Sequence, residues 1–242
     1  FTRRTGAVTY WRNTGAAEGR FVQQTLPGVS RPAYAMLWAD LDRDGDLDFV
    51  AGSYDAGLLS DLGNSFLLSG NGGVLIYENR QGRFAGQSLA NSAQAMAIAL
   101  FDADRDGRAD IVVGNDFAVP DYLWLQTDEG WQRASFDATS HSTMSLDAGD
   151  IDNDGVPELL SSDMLPYAAN AATVAAWDPI MAGMTESYVP GDPQVMSNVL
   201  QVWTGATGYQ NAAAQRGVDA TGWTWSSKFG DLDQDGLLDL YA

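Results

Sequence analysis

The chain has 242 residues, of which 45% are apolar and 11% aromatic, enough to bury a sizeable core and too many for a disordered protein. Its formal net charge is −19, and its 13 Lys and Arg residues form no basic stripe, which argues against nucleic acid as a partner. It contains no cysteine, which excludes disulfide bonds, thiolate metal sites and a cysteine nucleophile.

In chain order, the first recognisable pattern is a pair of strands joined by a turn, Val8–Asn13 followed by Gly19–Phe21. The same pairing returns at 74–84, 122–131 and 199–209. Each of these later pairs follows an aspartate-rich loop and a short apolar run that is typical of a buried strand. One repeat unit is therefore strand, acidic loop, strand, connection, strand, turn, strand.

The four acidic loops share one spacing, with acids at positions 1, 3, 5 and 9 and glycine at position 6. Calcium takes about 6 to 8 oxygen ligands, and glycine permits the sharp turn that brings them together. We predict that positions 1, 3, 5 and 9 bind through carboxylates and position 7 through its backbone carbonyl. The predicted ligands for about four Ca²⁺ ions are Asp40, Asp42, Asp44, Asp46 and Asp48; Asp102, Asp104, Asp106, Arg108 and Asp110; Asp150, Asp152, Asp154, Val156 and Glu158; and Asp231, Asp233, Asp235, Leu237 and Asp239.

Two other interpretations of these loops are possible. Asp-Gly pairs also form ordinary turns, and acidic runs are usually solvated, but four matches with the glycine in register favour calcium. The EF-hand shares the start of the pattern but needs a glutamate at position 12 and a helix on each side. Position 12 is occupied by Ala51, Val113, Ser161 and Ala242, and the flanking sequences predict strands.

The repeat predicts an all-β fold: a β-propeller of four-stranded blades with a calcium-binding loop between the first two strands of each blade. We predict that residues 1–242 form a single segment of one propeller. Its parts are a half blade at 5–26, blades at 33–90, 93–138 and 142–214, and a half blade at 223–242. The chain starts without methionine and stops inside a predicted strand, so we interpret it as a fragment of a seven-bladed propeller. Closure of a small ring by the two half blades is the alternative, and a flat repeat array or β-sandwich is disfavoured.

The acidic loops resemble FG-GAP or VCBS-type repeats, the calcium-binding blades of integrin α-chains and many secreted bacterial proteins. The segments Ser162–Pro166, Asn198–Gln201 and Gly217–Trp225 further resemble the CRTAC/ASPIC-UnbV group, to which cartilage acidic protein is similar. The resemblance implies a metal-binding β-propeller that is secreted, extracellular or periplasmic. It also implies a role in protein–protein interaction or cell adhesion.

The expected function is thus a calcium-stabilised interaction scaffold without enzymatic activity. Insertion 164–197, which contains Trp177, Met181, Met184 and Tyr188, is the predicted surface for a protein partner, with packing against its own blades as the alternative. The apolar insertion 55–73 raises the same question. A role as an accessory subunit of a large surface or membrane-associated complex is an alternative function. No apolar run in the sequence reaches the roughly 18 residues of a membrane span.

A glycan-active enzyme built on the propeller face is the remaining alternative, and a glycan ligand is possible. It would need two carboxylates facing each other across a cleft, and Asp116, Asp121, Asp163 and Asp178 lie outside the acidic loops. We expect these four acids to cap turns and strand ends instead. His141, the only histidine, is expected to form structural hydrogen bonds, because no nucleophile-elbow motif accompanies it.

Overall fold

The computed structural model describes residues 8–15, 19–63, 68, 70–117, 119–166, 170–184, 191–205 and 207–242, apart from the side chains of 61, 62, 178 and 180–184. The chain divides into two compact units, Phe1–Ala95 and Met96–Ala242. Antiparallel β-sheet dominates both of them.

The first unit contains a two-stranded and a four-stranded antiparallel sheet. In the smaller sheet, β1 (Thr9–Asn13) pairs with β2 (Phe21–Thr25). The larger sheet keeps its strands in sequence order: β3 (Ala35–Ala39), β4 (Asp48–Gly52), β5 (Val74–Arg80) and β6 (Arg83–Ala90). Helix α1 (Asp55–Leu62) lies in the connection between β4 and β5.

The second unit repeats this pattern, and all residues of its first strand except Ala95 belong to it. One four-stranded sheet contains β7 (Ala95–Phe101), β8 (Asp110–Asn115), β9 (Tyr122–Thr127) and β10 (Gly130–Ala134). The short β11 (Thr139–Ser140) precedes the next four-stranded sheet, which contains β12 (Ser145–Gly149), β13 (Glu158–Ser162), β15 (Val199–Trp203) and β16 (Tyr209–Asn211).

The remaining elements of the second unit lie in the long connection of that sheet or after it. Helix α2 (Ala171–Met184) and β14 (Gln194–Val195) fall between β13 and β15, and β14 pairs in parallel with β11. Helix α3 (Ala213–Arg216) follows β16, and β17 (Lys228–Gly230) and β18 (Asp239–Tyr241) form a final two-stranded antiparallel sheet.

The second strand of each four-stranded sheet is buried along its whole length. These strands are β4, β8 and β13, and each has two or three adjacent apolar residues rather than an alternating pattern. In β13 the buried run continues with Ser161 and Ser162. Such runs are expected where both faces of a strand are covered. The last strands β6 and β10 are more exposed than β4 and β8, so burial falls toward the outer edge of these two sheets.

The cores lie between the faces of successive sheets within each unit. In the first unit, Val8 and Leu26, which flank β1 and β2, pack in one cluster with Phe49, Tyr77 and Phe84. In the second unit, one cluster joins the two four-stranded sheets, and a second joins the later of these to β17 and β18. The first cluster includes Phe101, Leu159 and Tyr209. In the second, Phe229 and Leu240 pack against Leu160.

The all-β class with antiparallel sheets is confirmed, and face-to-face packing of successive sheets is the arrangement expected between blades. The helices α1 and α2 in the two insertions were not predicted; the Ala-rich start of α2 has high helix propensity, which the strand-based analysis did not weigh. Within the described part of the chain, no helix has the length and apolar composition that crossing a bilayer would require. The seven-blade count stays a prediction.

Candidate metal centres

Each acidic loop joins the first two strands of a sheet. The loops connect β3 to β4, β7 to β8, β12 to β13 and β17 to β18. In every case the acid at position 1 follows the last residue of the first strand, and the acid at position 9 is the first residue of the second strand. The four loops therefore occupy the same place in four sheets.

In all four loops the acids at positions 1, 3 and 9 converge. Each of them offers one oxygen atom, and the three oxygens lie within 4.8 Å of one another. The groups are Asp40, Asp42 and Asp48; Asp102, Asp104 and Asp110; Asp150, Asp152 and Glu158; and Asp231, Asp233 and Asp239. Twelve of the twenty predicted ligand residues are thus brought together in threes.

The acid at position 1 shapes the loop by accepting two backbone hydrogen bonds. Asp102 Oδ1 accepts the N–H of Asp106 at 3.0 Å, and Asp102 Oδ2 accepts the N–H of Gly107 at 2.9 Å. The same pair of bonds forms at Asp40, Asp150 and Asp231. These bonds satisfy backbone groups that the sharp turn would otherwise leave without partners.

The acid at position 9 ties the loop to the rest of its sheet. Asp110 Oδ2 accepts the N–H of Ala103 within the loop at 2.7 Å, and its Oδ1 accepts the N–H of Gln126 on β9 at 2.8 Å. Burial raises the pKa of Asp110 to about 6, although both N–H donors oppose this shift. Asp48 makes the equivalent bonds to Leu41 and Asn79.

The acids at position 5 lie outside the groups of three. Their Oδ1 atoms accept the backbone N–H of position 7 at 2.8 to 3.0 Å, as in the pair Arg108 to Asp106. Direct binding by Asp44, Asp106, Asp154 and Asp235 stays a prediction, as does the backbone carbonyl of position 7. Asp46, at position 7 of the first loop, has a buried Oδ1 without a hydrogen-bond partner among the described residues.

Position 4 of each loop has a left-handed backbone that the sequence analysis missed. Arg43, Arg105, Asn153 and Gln234 have φ between 58° and 66°, just before the glycine at position 6 with φ between 83° and 95°. Only Asn153 is a residue type that adopts positive φ readily. The arginines and the glutamine at the other three positions therefore give no sequence signal of the left-handed backbone. The cost is about 1 to 2 kcal/mol per residue, and the hydrogen bonds of the position 1 acid offset it.

The donor chemistry of these groups fits a hard divalent cation. All converging atoms are carboxylate oxygens, which suit Ca²⁺, and neither histidine nor cysteine belongs to any group among the described residues. The buried Oδ1 of Asp46 without a partner is what a loop built for an additional oxygen-bound ligand would contain. The groups of three therefore fit the predicted calcium.

Three of the four acids considered for catalysis, Asp116, Asp121 and Asp163, occupy buried positions. Asp121 accepts hydrogen bonds from the Asn115 N–H and the Thr143 hydroxyl, both at 2.8 Å, and burial raises its pKa to about 7. Asp163 Oδ2 accepts the backbone N–H of both His141 and Ser142 at 3.1 Å. Asp116 is also buried, whereas the side chain of Asp178 lies outside the described residues.

Among the described residues, His141 does not form a Ser-His-Asp set. Its Nδ1 lies 3.4 Å from the Oγ of the adjacent Ser142, and Asp163 contacts its backbone N–H rather than its ring. A Ser-His-Asp set requires the acid to orient the imidazole. The interactions of His141 are those of a residue held in the connection between two sheets.

Within insertion 164–197, helix α2 contacts the protein through one side chain and exposes another to solvent. The Trp177 ring lies 5.3 Å from the Trp223 ring, so α2 packs on the segment that precedes β17. Val174, on the same helix, is 40% exposed. Tyr188 and the side chains of Met181 and Met184 lie outside the described residues.

Insertion 55–73 shows a similar division. Leu58 is buried, whereas Leu59 and Leu68 are exposed. Phe66 and Leu67 are not among the described residues. Both insertions thus combine an anchored apolar side chain with exposed ones.

Comparison with family models finds FG-GAP-like repeats at residues 1–51 and 65–113. The matched segments include the first two acidic loops and their flanking strands. This match supports an FG-GAP/VCBS-type repeat protein, a family in which β-propellers and extracellular proteins are typical. A search of curated proteins found no match.

Proposed function

We propose that the chain is part of a calcium-stabilised β-propeller of the CRTAC/ASPIC-UnbV type that serves as a scaffold for protein–protein interaction or adhesion. The observation that carries this proposal is the recurrence of one three-carboxylate group at the same place in four sheets. A single acidic group would be compatible with a solvated turn, but the repeat at equivalent positions favours a common ligand.

Calcium would remove a large repulsion from each loop. Two carboxylate oxygens no more than 4.8 Å apart repel by roughly 3 kcal/mol or more at an effective dielectric near 20, and each group contains three such pairs. Sites of the extracellular type bind calcium at roughly 10⁻⁴ to 10⁻³ M, so they fill outside the cell and stay empty in the cytosol. We therefore propose a secreted, extracellular or periplasmic location.

The first test is thermal unfolding with and without calcium. A site occupied at 100 times its dissociation constant adds about 2.7 kcal/mol, which corresponds to about 5 to 10 °C in a chain of this size. We expect calcium to raise Tm by at least this amount over a chelator, with Mg²⁺ less effective because it demands an octahedral site. Asp42→Asn should reduce the shift, whereas Asp137→Asn, at an exposed acid outside the loops, should not. Equal Tm values in calcium and chelator would refute the calcium proposal.

We propose the solvent side of α2 as the docking surface for a protein partner. Trp177 anchors the helix through Trp223, while Val174 presents an apolar side chain to solvent. Trp177 is half-buried and Trp223 is itself exposed, and clustered exposed apolar and aromatic side chains are typical of interaction surfaces. The buried, hydrogen-bonded state of Asp121 and Asp163 suits a structural role, so we propose no enzymatic activity.

Affinity isolation of the native protein in calcium-containing buffer tests this surface. Val174→Arg should abolish co-isolation of the partner, and the matched variant Leu68→Arg, at an exposed leucine of the other insertion, should retain it. Both variants should keep the Tm of the parent chain, because both side chains are exposed. Retention of the partner by Val174→Arg would place docking elsewhere.

A further inference from the structure

The four acidic loops differ in how their negative charge is balanced. Four acids and two arginines give the second loop, residues 102–110, a formal charge of −2. The first loop has five acids and one arginine, and the third and fourth have four acids and no base, so each of these carries −4. Counted within each loop, a cation bound at 102–110 would therefore experience the weakest attraction. The third loop has a counter-charge from outside, because the half-exposed Arg216 guanidinium lies 3.9 Å from Asp152, a longer and more exposed contact than those of Arg108.

One of the two arginines is bonded directly to a predicted ligand. The Arg108 guanidinium forms an ion pair with Asp106, the acid at position 5, and a second with Asp128 at 2.7 Å. Its Nε–H donates to the carbonyl of Gln126 at 2.7 Å, and its side chain is only 31% exposed. Three contacts thus hold a positive charge against the loop.

The same part of the structure also holds the carboxylate group in place. Gln126 accepts from Arg108 through its carbonyl and donates through its N–H to Asp110, the acid at position 9. The guanidinium and the carboxylate group are therefore attached to one residue of β9. Arg108 is part of the built loop rather than a mobile surface side chain.

The second arginine serves as an internal comparison. The Arg105 guanidinium lies over the Trp203 ring, 5.3 Å from its centroid, in a cation–π contact. It carries the same charge in the same loop but faces an aromatic ring of another sheet. In the other loops, position 7 holds Asp46, Val156 or Leu237, which cannot supply a positive charge.

We propose that Arg108 is a resident counter-ion that makes the second loop the weakest calcium site and the one least dependent on calcium for its structure. The inference rests on the proposed calcium function and adds an order of loading to it. Calcium at this loop must compete with the guanidinium for the Asp106 carboxylate or share it with that positive charge, and either lowers its affinity. As calcium rises, 40–48, 150–158 and 231–239 fill first, and 102–110 fills last.

Hydrogen exchange resolved by peptide, measured on the whole chain at stepped free calcium, tests this order. Peptides covering 40–48, 150–158 and 231–239 should gain protection at lower calcium than the peptide covering 102–110, and the latter should lose least protection in chelator. Arg108→Gln should lower the calcium midpoint of 102–110 by about tenfold, as expected for removing one charge close to a divalent ion in water. It should also make that loop lose protection in chelator.

Two variants separate the ion pair from charge alone. Arg105→Gln removes the same charge from the same loop but leaves the Arg108 ion pairs in place, so its midpoint should shift by about threefold or less. Arg108→Lys keeps the charge and should stay close to the parent chain. Exchange protection of the strand peptides in saturating calcium confirms that each variant is folded.

The outcomes distinguish this inference from the function on which it rests. Equal midpoints for all four loops in the parent chain, or equal shifts for Arg108→Gln and Arg105→Gln, would overturn the role of Arg108 while calcium binding stands. Absence of any calcium response in all four loops would overturn the proposed calcium function itself.

Discussion

Replacement of Asp121 by asparagine should change the pH dependence of stability. Asp121 is 6% exposed, and its two oxygens accept hydrogen bonds from the Asn115 N–H and the Thr143 hydroxyl. Burial raises its pKa to about 7, the negative charge of nearby Asp163 adds to the increase, and the two hydrogen bonds oppose it. An asparagine of the same shape can keep both contacts, with its amide donating to the Thr143 oxygen, but does not ionise.

The sign of the effect follows from proton binding. Between pH 4 and 7 the folded protein holds a proton on Asp121 that the unfolded chain has released, so stability from this group is lost as the pH rises through that range. A pKa of about 7 against an ordinary value of 3.8 corresponds to about 4 kcal/mol over the whole range. Above pH 7 both states are ionised, and the loss is complete.

The assay is urea unfolding from pH 4 to 8 in saturating calcium, so that the acidic loops contribute equally to both proteins. We expect Asp121→Asn to match the parent chain near pH 4 and to exceed its free energy of unfolding by up to about 4 kcal/mol at pH 8. The control Asp137→Asn, at an exposed acid in the same unit, should follow the parent curve. Parallel curves for Asp121→Asn and the parent chain would refute the assignment of a raised pKa to Asp121.

Two further changes test the packing. Gly114→Ala should destabilise by roughly 1 to 3 kcal/mol, because the new Cβ would lie 2.3 Å from Thr143 Cγ2, whereas Gly230→Ala, with its nearest atom at 3.9 Å, should cost little. Equal denaturant midpoints for the two variants would contradict this contact. Asp110→Ala in chelator should cost roughly 2 to 4 kcal/mol, since two backbone N–H groups would lose their acceptor. If Asp110→Ala lowers the free energy of unfolding no more than Asp137→Ala does, the role of Asp110 is limited to metal binding.

Sequence spacing was sufficient to locate the acidic loops and the strands around them. Acids at alternate positions followed by glycine define a local turn, and the hydrogen bonds that Asp102 accepts from the N–H groups of Asp106 and Gly107 span only four and five residues. The apolar runs after the loops predicted the buried strands β4, β8 and β13, because a strand covered on both faces needs no alternation. These features depend on neighbours in the chain.

The left-handed backbone at position 4 and the helices of the insertions were not predicted, because both depend on contacts outside the local spacing pattern. Arginine and glutamine do not signal a left-handed conformation, which the surrounding hydrogen bonds impose on them. Helix α2 has local propensity, but its placement depends on Trp223, which lies 46 residues from Trp177.

Contacts between distant segments were decided by the tertiary structure alone. Packing of one sheet on the next brings Thr143 to Asp121, and the pairing of β8 with β9 brings Arg108 to Gln126 and Asp128. Burial of Asp121 raises its pKa. The Arg108 guanidinium distinguishes the second acidic loop from the three others with the same spacing. A spacing pattern determines which oxygens can converge within a turn, but the solvation and counter-charges around them depend on which sheets come together in space.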